Sequence, residues 1–94
     1  MNGTAGIPWF KELDYPMIRS LFADGEEFPE TFDEWLDQAE QKERSYRQRG
    51  WEVFRVGIEA EKFSIWCKRE NLPLNAAARR RFAAVMAGRM SRSS

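Results

Sequence analysis

Hydrophobic residues recur at helical spacing in four segments of this 94-residue chain, and they alternate with other residues in a fifth segment. Apolar side chains three or four positions apart share one face of a helix, whereas alternation places them on one face of a strand. The pattern therefore predicts a mainly α-helical protein of the α+β class, in the order helix, helix, strand, helix, helix. The predicted helices run from about Tyr15 to Ala23, for about 18 residues from Thr31, from about Glu59 to Glu70, and onward from Asn75.

Local signals predict where these helices begin and end. Thr31 followed by Glu34 forms a capping box, in which the two side chains satisfy free N–H groups at the start of the second helix. Gly50 and Asn71 suit the left-handed conformation that ends a helix. Asn75 is a strong N-cap for the fourth helix.

The same spacing predicts which helix faces are buried. Cys67 lies on the inner face of the third helix, and we expect this free cysteine to be a small buried hydrophobe. In the first helix, one apolar face is predicted to comprise Met17, Ile18, Leu21 and Phe22.

The segment Trp51 to Ile58, with the sequence WEVFRVGI, is rich in β-branched and aromatic residues and predicts a strand. Pleating sends alternate side chains to opposite faces. The face expected to meet the core carries Glu52, Phe54, Val56 and Ile58. The opposite, mixed face carries Trp51, Val53, Arg55 and Gly57.

No second strong strand is evident, so the backbone groups of this strand need a partner, because burying them unpaired costs about 1–3 kcal/mol each. The favoured solution is antiparallel pairing with the same strand of a second copy about a two-fold axis. The residues of this predicted dimer strand are Trp51, Val53, Phe54, Arg55 and Val56. Two alternatives stay open: pairing with the segment Ile7 to Phe10, which Pro8 makes a poor partner, and an extended segment without a ladder.

The length of the chain predicts one domain. We expect residues 13–88 to form this domain, residues 1–12 to be a loose N-terminal arm, and residues 89–94 to be a frayed tail. No apolar run approaches the roughly 20 residues that span a bilayer. The N-terminus lacks the pattern of a secretory signal, and one cysteine cannot form an intrachain disulfide, so we expect a cytoplasmic protein without membrane contact.

The chain contains no histidine and a single cysteine. The commonest general base and the commonest metal ligand are therefore absent, and the ordinary zinc sites cannot form within one chain. Glu30, Glu34 and Asp37 stand at helical spacing, but without histidine we interpret them as a solvated acidic face. We therefore expect no enzymatic activity, no metal and no cofactor.

The formal net charge is +0, but the charges are segregated along the chain. Residues 24–43 contain nine acids and one lysine, whereas residues 68–94 contain seven bases and one acid. Such regions can face each other, within one chain or across a dimer, or they can attract charged partners. The face predicted for a basic partner consists of Asp33, Glu34, Asp37 and Glu40. The residues predicted to contact an acidic partner or nucleic acid are Arg55, Arg79, Arg80 and Arg81.

From Trp51 to about Ala87, a strand followed by two helices, with strands paired across a dimer, resembles the ribbon–helix–helix layout of DNA-binding proteins. The resemblance implies that the mixed face of the strand enters the major groove, where Arg55 donates to a base edge. It also implies phosphate contacts from the backbone after Asn75 and from Arg79, Arg80 and Arg81.

The sequence pI of about 6.3 disfavours this alternative, because nucleic-acid-binding domains are usually basic. The favoured interpretation is a small non-enzymatic, homodimeric module or adaptor that binds another protein of unknown identity.

Overall fold

A computed structural model describes residues 3–93 of the chain. The helices and strands, in chain order, are β1 (Thr4–Trp9), α1 (Tyr15–Leu21), α2 (Phe32–Gln48), β2 (Glu52–Gly57), α3 (Ala60–Arg69) and α4 (Ala76–Ser93). Two short 3₁₀ turns, Glu12–Asp14 and Gly25–Glu27, lie on either side of α1. The four predicted helices and the mainly helical α+β class are confirmed.

Capping contacts occur at the positions where helices were predicted to begin. The Thr31 hydroxyl oxygen accepts a hydrogen bond from the Glu34 N–H at 3.2 Å, and the Asn75 side chain accepts one from the Ala78 N–H at 3.0 Å. Gly50 and Asn71 have φ angles of 89° and 62°. These two residues occupy the left-handed conformation that ends α2 and α3.

The expectation of a single strand and a loose N-terminal arm is wrong, because residues 4–9 form β1. This strand pairs in parallel with β2, so that Thr4 lies opposite Glu52 and Trp9 lies opposite Gly57. One edge of β2 therefore finds its partner in the same chain, and pairing with a second copy is not shown. Met1, Asn2 and Ser94, at the outer ends of the predicted arm and tail, lie outside the described residues.

Pro8 does not weaken this pairing, contrary to expectation. The Glu52 N–H donates to the Gly3 carbonyl at 3.1 Å, and the Ile58 N–H donates to the Trp9 carbonyl at 2.9 Å. Since alternate residues of a strand point their backbone groups to the same side, residues 3, 5, 7 and 9 face β2 and Pro8 faces away. The N–H group that proline lacks is therefore one that the ladder does not use.

The two-stranded sheet lies between α2 and α4. Parallel strands need a long crossover connection, which α1 and α2 provide. Gly6 is in close contact with α4 on one face of the sheet. The Val56 side chain lies on the same face and packs with Ala83 and Ala87. The opposite face, toward α2, carries Arg55, which bonds to Glu43 of that helix. The α2–sheet–α4 order places the exteriors of α2 and α4 on opposite sides of the molecule.

Helix α4 approaches the sheet closely at Gly6. A Cβ atom built on Gly6 would lie 2.3 Å from the Ala83 carbonyl oxygen and 2.9 Å from the Ala87 Cβ atom. Only glycine fits at this separation, which accounts for one glycine of the segment that was expected to be loose.

The larger core lies among α1, α2 and α3. Ile18, Phe63 and Cys67 are essentially without solvent exposure, and the rings of Phe10 and Trp35 lie 4.7 Å apart. Burial of Cys67 confirms its predicted structural environment, and desolvation raises the pKa of its thiol. A thiol kept protonated in this way is a poor nucleophile.

The C-terminal segment is also more ordered than predicted. Helix α4 extends to Ser93, so residues 89–93 continue the helix instead of forming a frayed tail. The Ser91 hydroxyl donates to the Glu52 carboxylate at 3.4 Å, which links this last part of α4 to the start of β2.

Candidate protein-interaction surfaces

The outer edge of β2 is open. The alternation that points residues 52, 54, 56 and 58 toward β1 points the backbone groups of Val53, Arg55 and Gly57 the other way. Between residues 3 and 93, the structure shows no hydrogen bond to these outward N–H and C=O groups. A Cβ atom on Gly57 would meet nothing within 4 Å, so the edge is also sterically open at this position.

The residues of the predicted dimer strand differ in which edge of β2 their backbone groups face. Val53 and Arg55 present backbone groups to the open edge, whereas those of Phe54 and Val56 face β1. Trp51 precedes the strand, and its ring packs against Tyr46 with centroids 5.8 Å apart.

The Arg55 guanidinium is bound within the protein. Its Nε and one terminal nitrogen donate to the two oxygens of Glu43 at 2.7 and 2.8 Å, and it lies 4.0 Å from the centre of a Trp9 ring. The hydrogen bonds from Arg55 hold the pKa of Glu43 below its usual value even though the carboxylate is buried. Arg55 is bound to Glu43 of α2, and β2 pairs with β1 of the same chain. The free ribbon with an available arginine that the ribbon–helix–helix resemblance implies is therefore absent between residues 3 and 93.

Arg79 is likewise bound internally. Its two terminal nitrogens donate to the Asp24 carboxylate at 2.7 and 2.5 Å, and the guanidinium lies 4.9 Å from the Phe22 ring centre and 4.8 Å from that of Phe28. Hydrogen bonds from Arg79 lower the pKa of Asp24. Arg79 was predicted to contact phosphate or an acidic partner, but its guanidinium joins α4 to the turn after α1.

The neighbouring arginines of α4 point elsewhere. Arg80 and Arg81 are exposed, and the Arg81 guanidinium comes within 4.0 Å of the Glu70 carboxylate. Three consecutive helical residues are about 100° apart around the axis, so one turn of α4 presents one arginine inward and two outward. Sequence alone does not identify the buried one, because its partner Asp24 is distant in the chain.

The acidic and basic regions lie on opposite sides of the sheet. Asp33, Glu34 and Asp37 are exposed on α2, and Glu40 is half-buried there. The exposed arginines of α4 are Arg80, Arg81, Arg89 and Arg92. These two exteriors cannot face each other within one chain, and Asp24 with Arg79 is the ion pair that joins the two charged segments among residues 3–93.

A further surface on α1 was not predicted. Tyr15, Ile18 and Phe22 are buried, whereas Leu13, Met17 and Leu21 have 95%, 61% and 39% of their surface exposed. The prediction that Met17 and Leu21 share a buried face with Ile18 is therefore wrong. The missed signal is the spacing of four residues between Met17 and Leu21, which places them on one stripe of α1, whereas Leu13 belongs to the 3₁₀ turn that precedes the helix.

One small pocket has three aromatic side chains in its lining. It encloses about 240 Å³ beside Phe10, Phe28 and Trp35. Its titratable lining residues are Glu27, Lys42 and Arg79, and Arg79 is already bound to Asp24. Among residues 3–93, no group of three or more Cys, Asp or Glu side chains is placed to hold a metal ion.

These features define a small α/β/α layered protein with a two-stranded parallel sheet, one open strand edge and an exposed apolar stripe. Within the described part of the chain, none of the helices combines the length and apolar character needed to cross a membrane. Comparisons with protein-family models, with curated proteins and with solved structures found no match to this chain.

Proposed function

We propose that the protein is a non-enzymatic, homodimeric interaction module that assembles through the outer edge of β2. The open edge of β2 is the observation that carries this proposal. A strand edge with unpaired N–H and C=O groups is a template for pairing with another strand. The same edge of a second copy offers an equal row of groups, and a two-fold axis makes one surface complementary to itself.

Antiparallel pairing about Arg55 uses all of the outward groups. In this register, Arg55 lies opposite its counterpart, and Val53 of each copy lies opposite Gly57 of the other. The result is a four-stranded sheet in the order β1, β2, β2, β1. Like charges directly opposite each other destabilise a sheet, but Glu43 neutralises each Arg55 through two hydrogen bonds. The absence of a side chain at Gly57 leaves room for Val53 of the second copy.

Association would also benefit the stability of such a short chain. Domains of this size bury a smaller fraction of their surface than larger ones and are often marginally stable. A shared sheet would extend both cores and remove the exposed edge, which otherwise favours aggregation.

The molar mass in solution tests this proposal, with proline placed where it removes only an outward N–H. We expect the native chain to sediment as a dimer, and Val53→Pro and Gly57→Pro to sediment as monomers with the circular dichroism of the native fold. Pro8 occupies the equivalent outward position in β1, so this strand geometry accommodates proline.

Two control variants separate edge pairing from a general loss of structure. Val53→Ala keeps the outward N–H and should remain dimeric, whereas Phe54→Pro removes an N–H that faces β1 and should unfold the protein. A native chain that is monomeric at about 100 μM, far above the Kd of an ordinary stable interface, would overturn the proposal. A dimer that persists in both outward proline variants would also overturn it.

The exterior of α4 supports nucleic-acid binding as a second candidate function. Arg80, Arg81, Arg89 and Arg92 are exposed, α4 contains no acidic residue, and the acidic exterior of α2 lies on the other side of the sheet. Retention on duplex DNA that falls steeply with salt and that is weakened in Arg80→Ala with Arg89→Ala would favour this function. A lack of retention at about 50 mM salt would exclude it, because counterion release makes phosphate contacts strongest at low salt.

A further inference from the structure

We propose that the small pocket beside Phe10, Phe28 and Trp35 binds a free aromatic amino acid in its zwitterionic form. The ring of the ligand lies among the aromatic side chains of the pocket. The carboxylate of the ligand pairs with Lys42, and its ammonium group pairs with Glu27. This site goes beyond the assembly proposed for the edge of β2, and it does not depend on whether the chain dimerises.

One face of α2 forms a wall of the pocket. The lining residues from this helix are Trp35, Gln38, Ala39 and Lys42, and their spacing of three and four residues places them on one side of the helix. Trp35 and Ala39 are buried, whereas Gln38 and Lys42 are exposed. This wall therefore changes from apolar in the interior to polar at the mouth of the pocket.

The remaining apolar lining comes from β1 and from the segment that precedes α2. Ile7 and Phe10 are buried, and Phe28 and Pro29 are half-buried. The centre of the Phe10 ring lies 5.7 Å from that of Phe28 and 4.7 Å from that of Trp35. Aromatic rings attract one another at such distances in offset or edge-on arrangements. The lining therefore favours an aromatic ring over an aliphatic group.

The size of the pocket limits the ligand. Its volume of about 240 Å³ is below the roughly 300–1,000 Å³ of pockets that hold drug-sized molecules. The ligand is therefore small, such as one ring that carries a short polar chain.

Two opposite charges at the mouth are available to a ligand. Glu27 and Lys42 line the pocket and are exposed, and neither forms an ion pair with any residue from 3 to 93. The other charged lining residue, Arg79, is buried and bound to both oxygens of Asp24. A ligand therefore meets one unpaired cation and one unpaired anion.

This pair of charges selects a ligand that carries both signs. A carboxylate alone can pair with Lys42 but is repelled by Glu27, and an amine alone meets the reverse situation. A free α-amino acid carries both charged groups on one carbon atom, and an aromatic side chain matches the lining. A residue within a peptide lacks at least one of the two charges, so the free amino acid is the class that fits.

Titration of the native protein with L-phenylalanine tests the site. We expect the backbone amide NMR signals of residues 27–29 and 35–42 to shift in a saturable manner, with a Kd of about 1 mM or below. Two analogues isolate the charges, because phenylpropionate lacks the ammonium group and phenylethylamine lacks the carboxylate. Each should bind at least about fivefold more weakly than phenylalanine, since each leaves one charge at the mouth unpaired.

Two variants should lose different ligands. Lys42→Gln should weaken the binding of phenylalanine and phenylpropionate at least about fivefold without weakening that of phenylethylamine. Glu27→Gln should weaken phenylalanine and phenylethylamine without weakening phenylpropionate. Arg44→Gln and Glu26→Gln are the matched controls, because they remove exposed charges that lie close in sequence but outside the lining. Both controls should bind all three ligands as the native chain does.

The inference is overturned if phenylalanine binds with a Kd above about 1 mM or not at all, or if the shifted signals lie away from the pocket. Equal affinity for the three ligands would also overturn it, as would equal losses in the two variants and their controls. Val53→Pro should bind phenylalanine like the native chain. Failure of the edge dimer and failure of this pocket are therefore observed separately.

Discussion

The two faces of the small sheet hold their helices by different means. On the face toward α4, Gly6 lets the helix backbone approach, and Ala83 and Ala87 are almost completely buried against the strands. On the face toward α2, a charged pair spans the contact, with Glu43 on the helix and Arg55 on the strand. One contact depends on the absence of side-chain volume, and the other depends on ionisation.

This difference separates two kinds of sensitivity in one sheet. Close apolar packing responds to added atoms and not to pH, because none of its groups titrates. A carboxylate held by arginine responds to pH and to removal of its charge, but it is less sensitive to small changes of shape. Variants on each face should therefore fail for different reasons, and the expected effects can be ranked.

The largest effect is expected for Gly6→Val. The new Cβ would lie 2.3 Å from the Ala83 carbonyl oxygen, and the two additional methyl groups have no space. Overpacking usually costs about 1–3 kcal/mol and occasionally more, and here the obstacle is backbone, so we expect a loss of at least about 3 kcal/mol. Urea unfolding measures it. A midpoint close to that of the native chain would show that α4 can move away from the sheet at little cost.

The second-largest loss of folding stability is expected for Asp24→Asn. Arg79 is buried, and its two terminal nitrogens bind the two oxygens of Asp24. Removing one partner of a buried pair costs about 3–5 kcal/mol, and the remaining amide oxygen still accepts one bond, so we expect about 2–3 kcal/mol at pH 7. Thermal unfolding checks this, since 1 kcal/mol shifts the Tm of such a domain by about 4–8 °C. An unchanged Tm would mean that water replaces the hydrogen bond that Arg79 loses with the carboxylate.

The elements that could be predicted from sequence are those with local signals. Thr31 and Asn75 begin helices whose capping bonds reach only three residues ahead, and Gly50 ends one through its own φ angle. Strand β1 has no such signal. Both of its faces are covered, so its apolar residues do not alternate with polar ones, and its partner β2 is distant in the chain.

The candidate surfaces show the same contrast between features with a local signal in the sequence and features that depend on tertiary contacts. Periodicity identified Ile18 as buried, but whether Met17 is covered depends on how the other helices are arranged. The charge count identified an acidic and a basic segment, but it could not show that their exteriors lie on opposite sides of the sheet. It also could not distinguish Arg79, which has a buried partner, from Arg80, which is exposed. Such distinctions come from tertiary contacts, and local patterns do not contain them.

A moderate effect is expected for Glu43→Gln, on the α2 face. The Arg55 side chain is 48% exposed, so water can replace part of the lost pairing, and we expect a loss of about 1–2 kcal/mol at pH 7. The pKa of Glu43 is lowered in the folded protein. Its stabilisation is therefore complete above the ordinary value of 4.5 and is lost as pH falls through the lower folded pKa.

Urea unfolding between pH 7 and pH 3 measures this dependence. The native chain should lose stability as the pH falls below about 4.5, and Glu43→Gln should lose less over the same interval, because one of the two responsible carboxylates, Asp24 being the other, no longer titrates. Parallel pH profiles for the two proteins would contradict the role of Glu43.

The smallest effect is expected for Gly57→Ala, the counterpart of Gly6 on the other strand and the other face. A Cβ atom at Gly57 meets nothing within 4 Å, its φ angle is not in the left-handed region, and alanine reduces the entropy of the unfolded chain. The free energy of unfolding should therefore change by less than about 0.5 kcal/mol. The substitution also keeps the outward N–H, so the molar mass should match that of the native chain. A loss similar to that of Gly6→Val would show that the two faces tolerate added volume equally, and the contrast between them would then lie in charge alone.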